Sequence, residues 1–157
     1  EYMVPTYAVA PLGVQTEFTA SGGLASFTMD VGTFTQTAVI SFTPQVPFDP
    51  GPPLVGPGFF FDLEAASQAT GHPLVPQGPY TVTLSYTDEE TAAGGVVNEN
   101  ALALYFWDGD QWVAESSCVV DPAANEITCT PDHFSLWSVL SERYHTFLPT
   151  IVRDHAP

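Results

Sequence analysis

Residues 100–140 spell out strand, tight turn, strand, a hairpin flanked by two cysteines, and strand again. Over 101–107, Leu102, Leu104 and Phe106 alternate with Ala103, Tyr105 and Trp107, the period of a strand whose side chains point to opposite faces. Asp108-Gly109 then supplies a hairpin turn and Gln111-Trp112-Val113 returns, bringing Trp107 near Trp112. The same period runs through 79–86. There Tyr80, Val82, Leu84 and Tyr86 share one face, and Thr81, Thr83 and Ser85 the other. Helical periodicity is almost absent, and short runs rich in Val, Thr, Phe and Tyr are punctuated by Gly, Pro, Asn and Asp. The pattern predicts an all-β protein, an antiparallel β-sandwich. At 157 residues it is one domain with room for a core of its own.

Strands are expected over 3–10, 13–19, 24–30, 37–44, 59–64, 79–86, 101–107, 111–115, 116–120, 126–130, 134–140 and 145–152. The Pro/Gly-rich stretch 44–58 reads as a long connection in which proline excludes a central strand. A second loop covers 66–78. One helical turn is expected after Thr87, which has Glu90 three residues on as in a capping box, with Gly94-Gly95 ending it.

Cys118 and Cys129 flank ten residues. Setting them opposite each other pairs Val119 with Thr128 and Val120 with Ile127, and leaves the turn on 121–126. Directly opposed cysteines of an antiparallel hairpin are close enough to bridge, so a disulfide-stapled hairpin is expected. Such a bridge points to an oxidising compartment. A metal site is not expected, because His133 is the sole candidate ligand near the pair.

Charged residues are 13% of the chain, about half the usual share. Eighteen carboxylates face two arginines, Arg143 and Arg153, and there is no lysine, for a formal charge of −16. That balance repels phosphate backbones and makes nucleic acid a poor partner. Without lysine, neither a Lys–Asn isopeptide bond nor a Schiff base can form. No apolar run is long enough to span a bilayer, no Asn-X-Ser/Thr site is present, and nothing calls for a cofactor. The chain reads as a mature secreted protein from which a signal peptide has been removed.

From Gly22 to Leu140 the order of motifs resembles the ZU5-like β-sandwich of bacterial extracellular proteins. The stretches that carry the likeness are Asp30-Val-Gly-Thr-Phe-Thr-Gln-Thr-Ala-Val-Ile, Phe60-Phe61-Asp62-Leu63, 79–86 with Thr87-Asp88-Glu89-Glu90, Leu104-Tyr105-Phe106-Trp107-Asp108-Gly109, and His133-Phe134-Ser135. The cysteine pair and the proline-rich loop depart from that pattern. The resemblance implies a specific chemistry for the tripeptide, because some ZU5 domains cut themselves between its Phe and Ser. Ser135 would then be the nucleophile, His133 its base, and Phe134–Ser135 the scissile bond. The plain alternative is an ordinary closing strand with His133 in the preceding turn.

Two segments lie outside the likeness, 1–12 and 143–157. Both hold apolar runs where exposed termini are normally polar. Each can add an edge strand to its own sandwich. Alternatively, one can complete the sheet of a neighbour, which repeated head to tail makes a filament. The N-terminal segment is the favoured arm, with Tyr2, Met3, Val4, Tyr7 and Val9 as its apolar contacts. Pro5 and Pro11 would interrupt it. The reading is therefore an N-terminal arm (1–12), a sandwich (13–142) and a C-terminal extension (143–157). The chain is expected to be a secreted, self-associating subunit of a filament or surface layer, not an enzyme. The alternatives are a self-cleaving module, or a carbohydrate- or surface-binding module offering Trp107, Trp112 and Trp137 as platforms.

Overall fold

The computed structural model describes residues 4–47 and 49–142, and they form two antiparallel sheets. The strands are β1 (Thr6–Ala10), β2 (Thr16–Ala20), β3 (Ala25–Met29), β4 (Ala38–Gln45), β5 (Leu54–Val55), β6 (Phe60–Ser67), β7 (Thr81–Ser85), β8 (Ala103–Trp107), β9 (Trp112–Ala114), β10 (Val119–Asp121), β11 (Glu126–Cys129) and β12 (Leu136–Glu142). The first sheet runs β1-β4-β6-β12-β8-β9, with β5 also paired to β12, and the second runs β10-β11-β7-β3-β2. The expected antiparallel sandwich is what the chain forms.

Alternation decides which side chains enter the core. Along β4, Ala38, Ile40 and Phe42 are fully buried while Val39, Ser41 and Thr43 face outward. Along β7, Val82 and Leu84 are buried and the intervening residues are not. Phe27, Phe42 and Phe61 meet at the centre, with Phe42 and Phe61 stacked at 4.8 Å. The disulfide Cys118–Cys129 closes the β10–β11 hairpin in the expected register, Val119 opposite Thr128 and Val120 opposite Ile127. The helical turn α1 (Asp88–Ala93) starts at a complete capping box. Thr87 Oγ1 accepts from Glu90 N, and the Glu90 carboxylate accepts from Thr87 N.

Three features depart from expectation. The proline-rich connection contains a short strand, β5, which pairs Leu54 with Glu142 and Val55 with Ser141. It takes the place beside β12 that β6 vacates after Phe60. On the outer face of the first sheet the side chains of Leu54, Ala103 and Trp112 pack against Phe60, Tyr105 and Leu140, which are buried there. Close approach makes this possible: a Cβ on Gly56 would run into the Val139 carbonyl, and one on Gly94 would run into the Gly56 carbonyl. The second departure is β6, which continues to Ser67, past the expected end at 64, because all eight residues of β4 pair with it.

The third concerns the arm. Thr6–Ala10 does not leave its own sandwich: five consecutive residues pair with β4, from Thr6 opposite Phe42 to Ala10 opposite Ala38. Pro5 and Pro11 bound the strand instead of breaking it, and Ala10 is buried in the core. Tyr2 and Met3, the expected strand 145–152 and the extension 143–157 lie outside the described residues.

Candidate functional site

His133-Phe134-Ser135 lies between β11 and β12, and two hydrogen bonds to its carbonyls, with a third to Pro131 just before it, fix this stretch. Tyr80 N donates to Pro131 O at 3.0 Å, Tyr80 Oη to His133 O at 2.9 Å, and Leu63 N to Ser135 O at 3.0 Å. Rings fix its side chains. The imidazole stacks on Trp137 at 4.9 Å and meets Phe106 edge-on at 4.4 Å. Phe134 packs edge-on against Tyr80 at 5.0 Å and Phe34 at 5.8 Å.

So held, His133 Nδ1 lies 2.8 Å from Ser135 Oγ. In the tautomer with its proton on Nε2, Nδ1 accepts the hydroxyl proton, the geometry of a base beside a nucleophile. The backbone offers no left-handed strain at this point. Among the described residues the positive-φ non-glycines are Ser21 and Asn125.

The tripeptide also walls one end of a groove of about 600 Å³ on the outer face of the first sheet. Its floor is Val39 and Ser41 of β4 with Glu64 and Ala66 of β6. Tyr7 of β1 flanks one side and Val75, in the loop after β6, the other. The register accounts for the grouping. Tyr7, Ser41 and Glu64 form one cross-strand row, and Val9, Val39 and Ala66 the next. Two of the expected arm residues, Tyr7 and Val9, therefore share this face, and both are exposed, as is Val4.

Asp62 stands two residues before Glu64 on the same face. Its carboxyl is held above the ordinary value of 3.8, first by burial and then by the charge of Glu64. The described residues include no Lys or Arg to offset this pair, because both arginines follow Glu142.

The remaining aromatic and acidic candidates have structural roles. Trp137 is fully buried. Trp107 and Trp112 pack edge-on at 63°, and Trp112 also meets Phe60 edge-on, so the three tryptophans make no coplanar exposed row. Asp108 caps the β8–β9 turn, with Oδ1 accepting from Asp110 N and Gln111 N at 2.8 Å each; these two bonds hold its carboxyl below the usual range. Among the described residues no group of three His, Cys, Asp or Glu side chains could hold a metal ion, and no helix is long and apolar enough to cross a membrane.

No protein-family model, curated protein or solved structure matches the chain. The likeness to ZU5 domains therefore rests on its motifs alone.

The tripeptide singled out in the sequence lies just before β12, which starts at Leu136 and not at 134, and the groove beside it was not foreseen. The outward residues Val39, Ser41 and Thr43 could be read from alternation. That β1, β4 and β6 lie side by side could not, because these sheet neighbours are not consecutive strands along the chain.

Proposed function

We propose that this chain is a secreted structural subunit that associates with copies of itself, in an extracellular filament or surface layer, through its sheet edges and apolar terminal segments. The supporting observation is the edge position of β1, which among the described residues pairs only with β4. Residues 2–16 carry no charged side chain, Val4, Tyr7 and Val9 are exposed, and the β1–β4 ladder has no bulge. Edge strands that must stay solitary are usually blunted by lysine, a bulge or a cover. A disulfide and a lightly charged surface accord with export and with contact between surfaces. A ZU5-like ancestry, as the motifs suggest, fits the same compartment. The test is sedimentation velocity and negative-stain imaging of the oxidised protein. Polymers that dissolve when Tyr7→Lys and Val9→Lys charge the edge support the reading. A chain that stays monomeric at every attainable concentration ends it.

A second reading, self-cleavage, is favoured by the 2.8 Å contact between His133 and Ser135. Ser135 Oγ would attack the Phe134 carbonyl carbon while Nδ1 takes its proton. The C–N bond breaks, the Ser135 amine leaves, and water hydrolyses the ester to a Phe134 carboxylate. Intact mass decides it: fragments dividing after Phe134, abolished by Ser135→Ala, establish the reaction.

A further inference from the structure

We propose that the groove on the outer face of the first sheet receives residues 144–152 of a second copy of this chain, with Arg153 of that copy set against Asp62 and Glu64. This rests on the self-association reading above and names its joint.

Three observations carry the inference. The first is charge. The chain has two cationic residues in all, Arg143 and Arg153, and they bracket Tyr-His-Thr-Phe-Leu-Pro-Thr-Ile-Val. The groove pairs an apolar floor of Val39 and Ala66 with the carboxylate of Glu64, and Asp62 adjoins it along the same strand. No other segment of this chain offers a positive charge on an apolar stretch. A second groove, at the opposite end between Val4, Pro5, Leu24 and Phe59, is lined by no charged side chain.

The second is position. β6 and β12 are antiparallel, with Leu136 opposite Asp62 and Ser138 opposite Phe60. The groove lies beside Phe134, where β12 begins, whereas the chain leaves β12 at Glu142, beside Leu54. Those points are about 26 Å apart along the strand. A return over the chain's own outer face would meet the side chains of Leu54 and Trp112, which already pack against Phe60, Tyr105 and Leu140. A segment leaving at one end and a groove open at the other suit two copies in line. Such a head-to-tail contact does not close on itself, so it propagates.

The third is the edge strand beside the groove, β1, which among the described residues pairs only with β4. Tyr7 is both a wall of the groove and part of the edge strand. An extended segment lying there can bond to the side of β1 that faces away from β4 while its alternate side chains enter the groove. Nine residues span about 30 Å, ample for the five residues of β1. Arg143 directly follows Glu142, so Arg153 is the arginine free to reach the acceptor.

The test uses the full chain in three forms. A donor variant carries Phe147→Asp and Ile151→Asp, an acceptor variant carries Val39→Arg, and a charge-swap series combines Glu64→Arg with Arg153→Glu. Circular dichroism and an intact disulfide confirm folding in each. Expected is loss of polymer from either variant alone, and 1:1 dimers when donor and acceptor variants are mixed, because each retains one working half. Each single charge reversal raises the concentration for half-assembly about tenfold, and the double swap recovers it. Polymers that persist in the donor variant overturn the joint while leaving self-association standing. A monomeric wild-type chain overturns both, and a wild type whose 144–152 segment folds back on its own groove overturns the joint alone.

Discussion

The hydroxyl of Tyr80 donates to the main-chain carbonyl of His133 at 2.9 Å, and the Tyr80 amide donates to the carbonyl of Pro131 at 3.0 Å. Tyr80 precedes β7 of the second sheet and His133 precedes β12 of the first, so one buried tyrosine ties the two layers beside the tripeptide. Tyr80→Phe keeps the ring against Phe134 and leaves a carbonyl without its donor. The expected cost is about 1–2 kcal/mol, read as a lower urea midpoint with an unchanged slope.

The disulfide closes a short loop, with a sequence separation of 11. Loop-closure entropy gives about 2–3 kcal/mol for a bridge of this span. Cys118 Sγ also accepts from Leu104 N, which couples the hairpin to β8. Cys118→Ser with Cys129→Ser is expected to lower stability by about that amount in denaturant titration. An unchanged midpoint would show that the unfolded chain is already constrained.

Asp62 has a raised carboxyl pKa, from burial first and Glu64 second. The folded chain therefore holds this proton more tightly than the unfolded chain. Stability from this group is fully present below the ordinary value of 3.8 and falls as pH rises through the folded one. At neutral pH the ionised side chain is a cost, and solvent screening at this partly exposed site keeps it to a few tenths of a kcal/mol. Asp62→Asn is expected to raise the Tm of the dilute chain by about 1 °C at pH 7. At pH 3 the gain should vanish, since Asp62 is then protonated in both states. Equal gains at both pH values would refute this.

Tyr86 gives a base-side counterpart. Its hydroxyl is pushed up to about 12 by burial and by its hydrogen bond to Glu99. Its contribution is intact below pH 10 and is lost as pH rises toward about 12. Spectrophotometric titration of wild type against Tyr86→Phe should isolate one ionisation near that value. A difference spectrum already complete by pH 10.5 would contradict the buried, hydrogen-bonded hydroxyl.

Local chemistry made much of this fold legible. Alternation over 79–86 placed Val82 and Leu84 in the core, and opposing Cys118 to Cys129 gave the register of β10 and β11. Thr87 and Glu90 announced their capping box. What escaped depends on contacts between distant segments. Ser138 and Leu140 look outward by period, yet both are buried: Ser138 Oγ donates to the Phe59 carbonyl, and Leu140 packs with Phe60 and Tyr105 against Leu54 and Trp112. Proline at 50, 52 and 53 hid β5, since it pairs over only two residues beyond them. Of the two placements open to the N-terminal segment, Thr6–Ala10 adds an edge strand to its own sandwich, and Pro5 and Pro11 delimit that strand of five residues. At His133 and Ser135 a chemistry is implied only by the likeness to ZU5 domains, and the stacking on Trp137 that accompanies their 2.8 Å contact has no local signal in the sequence.

Where the Gly56 carbonyl fills the space a Cβ at Gly94 would need, two stretches nearly forty positions apart become mutually dependent in descent. Lengthening the first, or placing alanine in the second, obliges a matching change in its counterpart. An engineer grafting an epitope onto this scaffold should therefore avoid both and use the tip near Gln68 and Ala69, where the side chains stand in solvent.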